Sequence, residues 1–171
     1  LLQYQLSPAE VVKEVRWKAE AMALAVVNHL ESAGIFAVEL FVDNNDNVWL
    51  NETAPRVHNS GHDTIEGNFS SQYDMVWRII LGLPLGNTKK ISQTALVNLI
   101  GNSDGVIDEN DPALNEILKI ENAFVHLYGK KENRPGRKMG HVTLLGDDRS
   151  TLVYLANKVR HIWENGGAIN D

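Results

Sequence analysis

Glu39 and Glu52 are the first residues in this chain that could do chemistry together. Glu39 lies inside residues 35–42, an apolar, β-favouring run (Ile-Phe-Ala-Val-Glu-Leu-Phe-Val) in which an unpaired charge is costly to bury. A second apolar run, Val48-Trp49-Leu50, precedes Glu52, and Asp43-Asn44-Asn45-Asp46 supplies turn chemistry between the two, so the segment reads as a β-hairpin. If Val42 and Asn47 close the turn, residue 39 lies opposite residue 50. Glu52 then becomes its diagonal neighbour on the same face, about 7 Å away at Cα. Two carboxylates at that separation repel, and a hard divalent ion such as Mg²⁺ relieves the repulsion while accepting oxygen ligands. The competing readings are a distant Arg or Lys partner for Glu39, or a bulge that turns the two side chains apart.

Directly after Glu52 come Thr53-Ala54-Pro55-Arg56-Val57-His58-Asn59-Ser60-Gly61-His62, with a guanidinium, two imidazoles, an amide and a hydroxyl packed into a few residues. Arg56 suits bidentate binding of a planar or phosphate-like anion. Asn59, Ser60 and the backbone at Gly61 offer hydrogen-bonding groups. A zinc site built on His58 and His62 lacks a third ligand at characteristic spacing, and a turn-rich surface loop is the plain alternative. A third cluster, Lys130, Lys131, Arg134, Arg137 and Lys138, puts five of the 16 basic residues within a short span opposed only by Glu132. Pro135-Gly136 folds that span tightly and could aim several cations at one phosphate; a solvated hairpin tip is the other reading. His29, His126 and His161 fall in regular elements and receive no role.

The elements that must position these groups are readable from periodicity. Ser7-Pro8-Ala9-Glu10 has the form of a capping box, and Val12, Val15, Ala19, Met22, Val26 and Leu30 follow at helical spacing, which predicts a helix over 8–33 stopped by Gly34. The hairpin comes next, then a polar loop over 53–69 and a helix over 71–81 stopped by Gly82 and Pro84. Further strands are predicted at 95–100, 123–128 and 141–145, with helices from Pro112 to Lys119 and from Ser150 to Trp163. Helices and strands mix in both halves, so the fold class is α+β, with a domain change placed between residues 88 and 89.

Composition narrows the function classes. The chain has 171 residues, 43% hydrophobic and 22% charged, as an ordinary globular protein does. Its 22 acidic against 16 basic residues give a net charge of −6, which argues against a nucleic-acid or anionic-membrane binder. The absence of cysteine excludes disulfides, thiolate metal sites and a cysteine nucleophile, and fits a cytoplasmic protein. No apolar run approaches the roughly 18 residues of a membrane-spanning helix. The chain opens Leu1-Leu2-Gln3-Tyr4 without an initiator Met and reads as a piece of something longer.

Two stretches together carry a resemblance. Asn51-Glu52 with Ala54-Pro55-Arg56-Val57-His58-Asn59-Ser60-Gly61-His62, and later Tyr128-Gly129-Lys130 with Arg134-Pro135-Gly136-Arg137-Lys138-Met139-Gly140-His141, resemble the N5-carboxyaminoimidazole ribonucleotide synthetase family of ATP-grasp enzymes. The older name for this family is the ATPase subunit of phosphoribosylaminoimidazole carboxylase. The resemblance covers nearly the whole chain but only the family's C-terminal half. It implies the C-terminal lobe of an ATP-grasp fold over residues 1–88, carrying the metal and substrate loop, followed by a small mixed β/α domain over 89–171 with the basic phosphate-binding loop.

By that resemblance, ATP phosphorylates bicarbonate to carboxyphosphate, which carboxylates the exocyclic amine of aminoimidazole ribonucleotide. Glu39 and Glu52 would hold Mg²⁺, Asn51 and Glu52 would sit at the nucleotide, and Arg56 and His58 would be catalytic, Arg56 by stabilising bicarbonate or carboxyphosphate. His58, Asn59 and Ser60 would line the ribonucleotide site, with Lys130 and Arg137 on its 5′-phosphate. The family's glycine-rich loop and nucleotide-contacting lysines have no counterpart in these residues, so the chain alone is expected not to turn over. A homodimer is compatible with the resemblance. Two rival functions are a formate-dependent glycinamide ribonucleotide transformylase-like ligase and a non-catalytic phosphate-binding module.

Overall fold

Two long buried strands organise the second half of the chain. In the computed structural model, which describes residues 2–102, 107 and 110–168, β4 (Gln93–Ile100) and β6 (Lys138–Gly146) lie at the centre of a four-stranded antiparallel sheet. Its order is β1-β4-β6-β5, with β1 at Tyr4–Ser7 and β5 at Ala123–Leu127. The two central strands are buried on both faces, and the faces differ in chemistry. Ala95, Val97, Leu99, Met139, Val142 and Leu144 point to one side. There they meet α4 (Pro112–Ile117) and α5 (Arg149–Glu164) through Leu114, Ile117, Leu152, Ala156, Val159 and Ile162. The side chains of α5 recur at the three- and four-residue spacing of one helical face. Trp163 closes that core and donates its indole N–H to the Ile100 carbonyl at 2.7 Å.

The other face of the same sheet is buried as well but mostly polar: beside Leu96 it carries Thr94, Asn98, His141 and Thr143, all at most 4% exposed. Buried polar groups need partners, and Thr94 and Asn98 find theirs largely in the first half of the chain, at Asp63, Asn59 and the Leu2 carbonyl. That half comprises α1 (Lys13–His29), the hairpin of β2 (Ala37–Val42) and β3 (Val48–Ala54), a 3₁₀ turn at Asn59–Gly61, α2 (Thr64–Gly67) and α3 (Gln72–Ile80). The segment from the 3₁₀ turn through α2 lies on the polar face. Asp63, 3% exposed, accepts from Thr94 Oγ1 at 2.7 Å and from Lys90 Nζ at 2.9 Å.

Three expectations are corrected. The predicted helix over 8–33 is shorter at both ends. Residues 4–7 form an edge strand on β4, because Tyr4 and Leu6 pack against the core there, and α1 starts only at Lys13 with no side-chain cap. Residues 4–7 thus pair with the sheet of the second half although they precede the division at 88 and 89. The reversal after α1 is made by Glu31 at φ 47° rather than by Gly34. In the hairpin, Val42 pairs with Val48, not Asn47, and a bulge follows between Glu39 and Leu40. Asp43 caps that turn, accepting from the Asn45 and Asn47 main-chain N–H groups, the Asn47 amide and the Trp49 indole. Those donors, the Asn47 side chain foremost, hold its carboxyl down at about 2.

Candidate active site

The bulge decides how the two carboxylates meet. Leu40 faces Leu50 and Glu39 faces Glu52, so Asn51 is the extra residue on β3. The carboxylates are therefore direct cross-strand partners, nearer than the diagonal placement expected from an unbulged ladder. The Asn51 amide turns back and donates to Glu39 Oε2 at 3.3 Å. His58 completes the group: its Nε2 lies 3.5 Å from Glu39 Oε1, and single ligand atoms of Glu39, Glu52 and His58 all fall within 4.8 Å of one another. No other such cluster occurs among the described residues, and His62 is not part of this one.

His58 Nδ1 accepts the Ser60 main-chain N–H at 3.3 Å and sits 2.8 Å from the Ser60 hydroxyl. In the neutral imidazole the proton is then on Nε2, directed at Glu39. His58 therefore presents an N–H toward Glu39 at 3.5 Å and offers no lone pair to an ion. The oxygen donors of Glu39 and Glu52 suit a hard divalent cation; the donor set does not suit zinc.

The remaining loop residues divide. Arg56 lines a cavity of about 300 Å³ together with Phe36, His58, Ser60, Gln72 and Met75, and donates to the Val57 carbonyl at 3.0 Å. Asn59 turns the other way. It exchanges amide hydrogen bonds with the buried Asn98 at 2.8 and 3.1 Å, and its Oδ1 also accepts from Lys138 Nζ at 3.0 Å. The structure thus joins the polar loop to the end of the basic loop through one asparagine. Ser60 is tied to β1, where Gln5 donates to its carbonyl at 2.6 Å. Within the basic loop, Lys130 donates to the Lys138 carbonyl and sits 5.6 Å over the Tyr128 ring. Arg137 bonds the Glu132 carbonyl at 3.0 Å, and Arg134 pairs with the Glu132 carboxylate.

Beneath the loop lies a feature that the sequence reading did not find. The rings of His62, His141 and His126 stack in sequence, with centroids 4.8 and 4.6 Å apart. Tyr73 stacks on the outer side of His62 at 5.8 Å, Tyr128 hydrogen-bonds His141 Nδ1 at 2.9 Å, and His126 Nε2 meets Glu66 Oε1 at 2.7 Å. Burial pushes His141 down to about 3, helped by its two histidine neighbours, and burial and Lys138 lower His62. The ladder is therefore kept neutral in its middle. Histidine alternation could have signalled it, since His126 and His141 are register partners on β5 and β6. Asn98, a polar residue inside an apolar strand, carried a similar signal.

Comparison with known proteins places this geometry in a family. Residues 1–73 match the ATP-grasp domain and residues 94–153 the phosphoribosylaminoimidazole carboxylase C-terminal domain. The phosphoribosylaminoimidazole carboxylase of Schizosaccharomyces pombe is 42% identical over 147 residues, covering 82% of this chain and 26% of the relative. The N5-carboxyaminoimidazole ribonucleotide synthase of Bacillus subtilis is 37% identical over 165 residues, 96% of this chain and 41% of the relative. The solved N5-carboxyaminoimidazole synthase of Aspergillus clavatus, in complex with ADP and 5-aminoimidazole ribonucleotide, superposes with a TM-score of 0.87 at 33% identity, over 96% of this chain and 44% of that one. The chain thus spans less than half the length of each of these relatives. With both domain matches in order and the fold shared, the chain belongs to the N5-carboxyaminoimidazole ribonucleotide synthetase family, an ATP-grasp lineage.

Proposed function

We propose that this chain contributes the metal-binding and substrate-phosphate portion of an ATP-dependent carboxylase of purine biosynthesis. Its substrates would be 5-aminoimidazole ribonucleotide, bicarbonate and ATP, and its products N5-carboxyaminoimidazole ribonucleotide, ADP and phosphate. The observation that carries the reading is the direct opposition of Glu39 and Glu52, with the His58 N–H aimed at the pair. The relatives' names supply the ribonucleotide, its carboxylated product and the adenine nucleotide, and the family resemblance supplies bicarbonate.

A bicarbonate oxygen attacks the γ-phosphorus of ATP and the bond to the bridging oxygen of ADP breaks, giving carboxyphosphate. The exocyclic amine of the ribonucleotide then attacks the carboxyl carbon, the C–O bond to phosphate breaks, and the amine loses a proton. Mg²⁺, held by Glu39 and Glu52, would offset the phosphate charge. Asn51, hydrogen-bonded to Glu39, sits at the nucleotide beside Glu52. Arg56, on the cavity wall, stabilises charge on bicarbonate and carboxyphosphate. His58 orients the Glu39 carboxylate, and His58, Asn59 and Ser60 line the ribonucleotide site. Lys130 and Arg137 hold the 5′-phosphate, in reach of the site through the Lys138–Asn59 link.

The division into residues 1–88 and 89–171 belongs to the same proposal, as do a homodimer and a cytoplasmic location. No helix among the described residues is long and apolar enough to cross a membrane, and a plant relative is named as chloroplastic. Light scattering and fractionation test the last two. The test of function is ADP release by the natural full-length protein, with Mg²⁺, ribonucleotide and bicarbonate omitted in turn and formate offered in place of bicarbonate. Dependence on all three, with no response to formate, is expected; release driven by formate would overturn the assignment.

A further inference from the structure

Gln72 is a polar residue in the first turn of α3 whose side chain is spent on the loop rather than on solvent. Ser71 caps the helix by accepting the Asp74 N–H at 3.1 Å, which leaves the Gln72 side chain free to reach back. Its Oε1 accepts the His58 main-chain N–H at 2.9 Å, and its Nε2 donates to the His58 carbonyl at 2.9 Å and to His62 Nδ1 at 2.9 Å. One amide therefore takes both main-chain groups of His58, as a paired strand would, and also holds the far end of the five-residue segment. The Gln72 main-chain N–H donates to Thr64 Oγ1 at 3.0 Å, and that hydroxyl donates to the Gly61 carbonyl at 2.6 Å. A Cβ at position 61 would come within 2.8 Å of Gln72 Oε1, so amide and loop are in contact along their length.

The requirement is specific. The site needs an acceptor and a two-proton donor on one planar group, at the reach of a three-carbon side chain. Glutamate lacks the donor, and asparagine is one methylene short. Because His58 is held by its main chain, the orientation of its ring toward Glu39 is set at Gln72 and not by the carboxylate alone.

We propose that Gln72 is a positioning residue: it latches the segment from His58 to His62 to α3 so that the His58 N–H faces the Glu39–Glu52 pair and Asn59 and Ser60 are held for the ribonucleotide. The catalytic consequence rests on the function proposed above, and the latch itself does not.

The test uses the natural full-length protein and its Gln72→Ala, Gln72→Glu and Tyr73→Phe variants. Amide hydrogen exchange at His58 is read by NMR, and steady-state kinetics are read separately for ribonucleotide and ATP. In Gln72→Ala the His58 amide exchanges at least about tenfold faster. Gln72→Glu retains the acceptor and protects that amide, but loses both donated bonds. Both variants raise KM for the ribonucleotide about tenfold and leave KM for ATP within about twofold. A mere loss of folded protein would move neither KM. Tyr73→Phe, which removes only the hydroxyl at His62 Nδ1, behaves as wild type in both measurements. Unchanged exchange at His58 in Gln72→Ala overturns the latch whatever the reaction is. Faster exchange with wild-type kinetics overturns the positioning role. A wild-type protein that releases no ADP in response to bicarbonate overturns the proposed function instead, and the exchange result still decides the latch.

Discussion

Acid should loosen this fold earlier than its carboxylates require, and the histidine ladder is the reason. His141 is 2% exposed, sandwiched between two other imidazoles, and titrates at about 3 in the folded protein against 6.5 when free. Between those values the unfolded chain binds a proton that the folded one refuses. The stabilisation is therefore complete above about pH 6.5 and drains away as pH falls. At full slope one such proton is worth about 1.4 kcal/mol per pH unit. From pH 7 to pH 5, where the unfolded group goes from mostly neutral to almost fully charged, His141 alone removes about 2 kcal/mol of unfolding free energy. Urea unfolding at half-unit pH steps measures this, and His141→Phe keeps an aromatic ring in the ladder while deleting the titration. The variant's absolute stability is uninformative because the ring is larger. What matters is that its stability declines by about 2 kcal/mol less than wild type over that interval. Parallel declines in the two proteins would refute a neutral, desolvated His141.

Other perturbations separate the site from its scaffold. Glu52→Gln should lower bicarbonate-dependent ADP release by the natural full-length protein at least about a hundredfold while leaving the unfolding midpoint close to wild type, since the pair is partly exposed and repulsive without a cation. Arg137→Ala should raise KM for the ribonucleotide about tenfold or more, the cost of a charged hydrogen bond to phosphate, with KM for ATP unchanged in the same assay. Asp63→Ala should destabilise by about 3 kcal/mol in urea, because it removes the buried carboxylate that pairs with Lys90 and accepts from the fully buried Thr94 hydroxyl.

Much of the architecture was legible because local pattern and burial agree. The β-favouring runs of β4 and β6, the cap of Asp111 and Pro112 on α4, and the helical spacing of α5 are set by short-range chemistry that the core rewards. Where a longer-range contact competes, local signals misled. Ser7-Pro8-Ala9-Glu10 has capping chemistry, yet Tyr4 and Leu6 gain more by burial along β4 than a first helical turn would. A bulge leaves no mark in composition, so spacing sets Glu52 diagonal to Glu39 where the structure sets the two directly opposite. The polar face of the sheet was hidden for a different reason. Alternating polar residues in an antiparallel strand read as solvent-facing, but here loop and α2 cover Thr94, Asn98 and His141. The loop residues Arg56 to Ser60 were visible by type, while Gln72, which holds them, lies fourteen residues beyond His58 and has no signature of its own.

The most direct test of the account is the fate of oxygen. With ¹⁸O-bicarbonate, freshly mixed to limit exchange with water, turnover by the natural full-length protein should leave one bicarbonate oxygen on each phosphate released, because carboxyphosphate forms through that oxygen and then breaks at carbon. Phosphate that carries no label while the ribonucleotide is carboxylated would contradict phosphoryl transfer to bicarbonate, and with it the reading of this site.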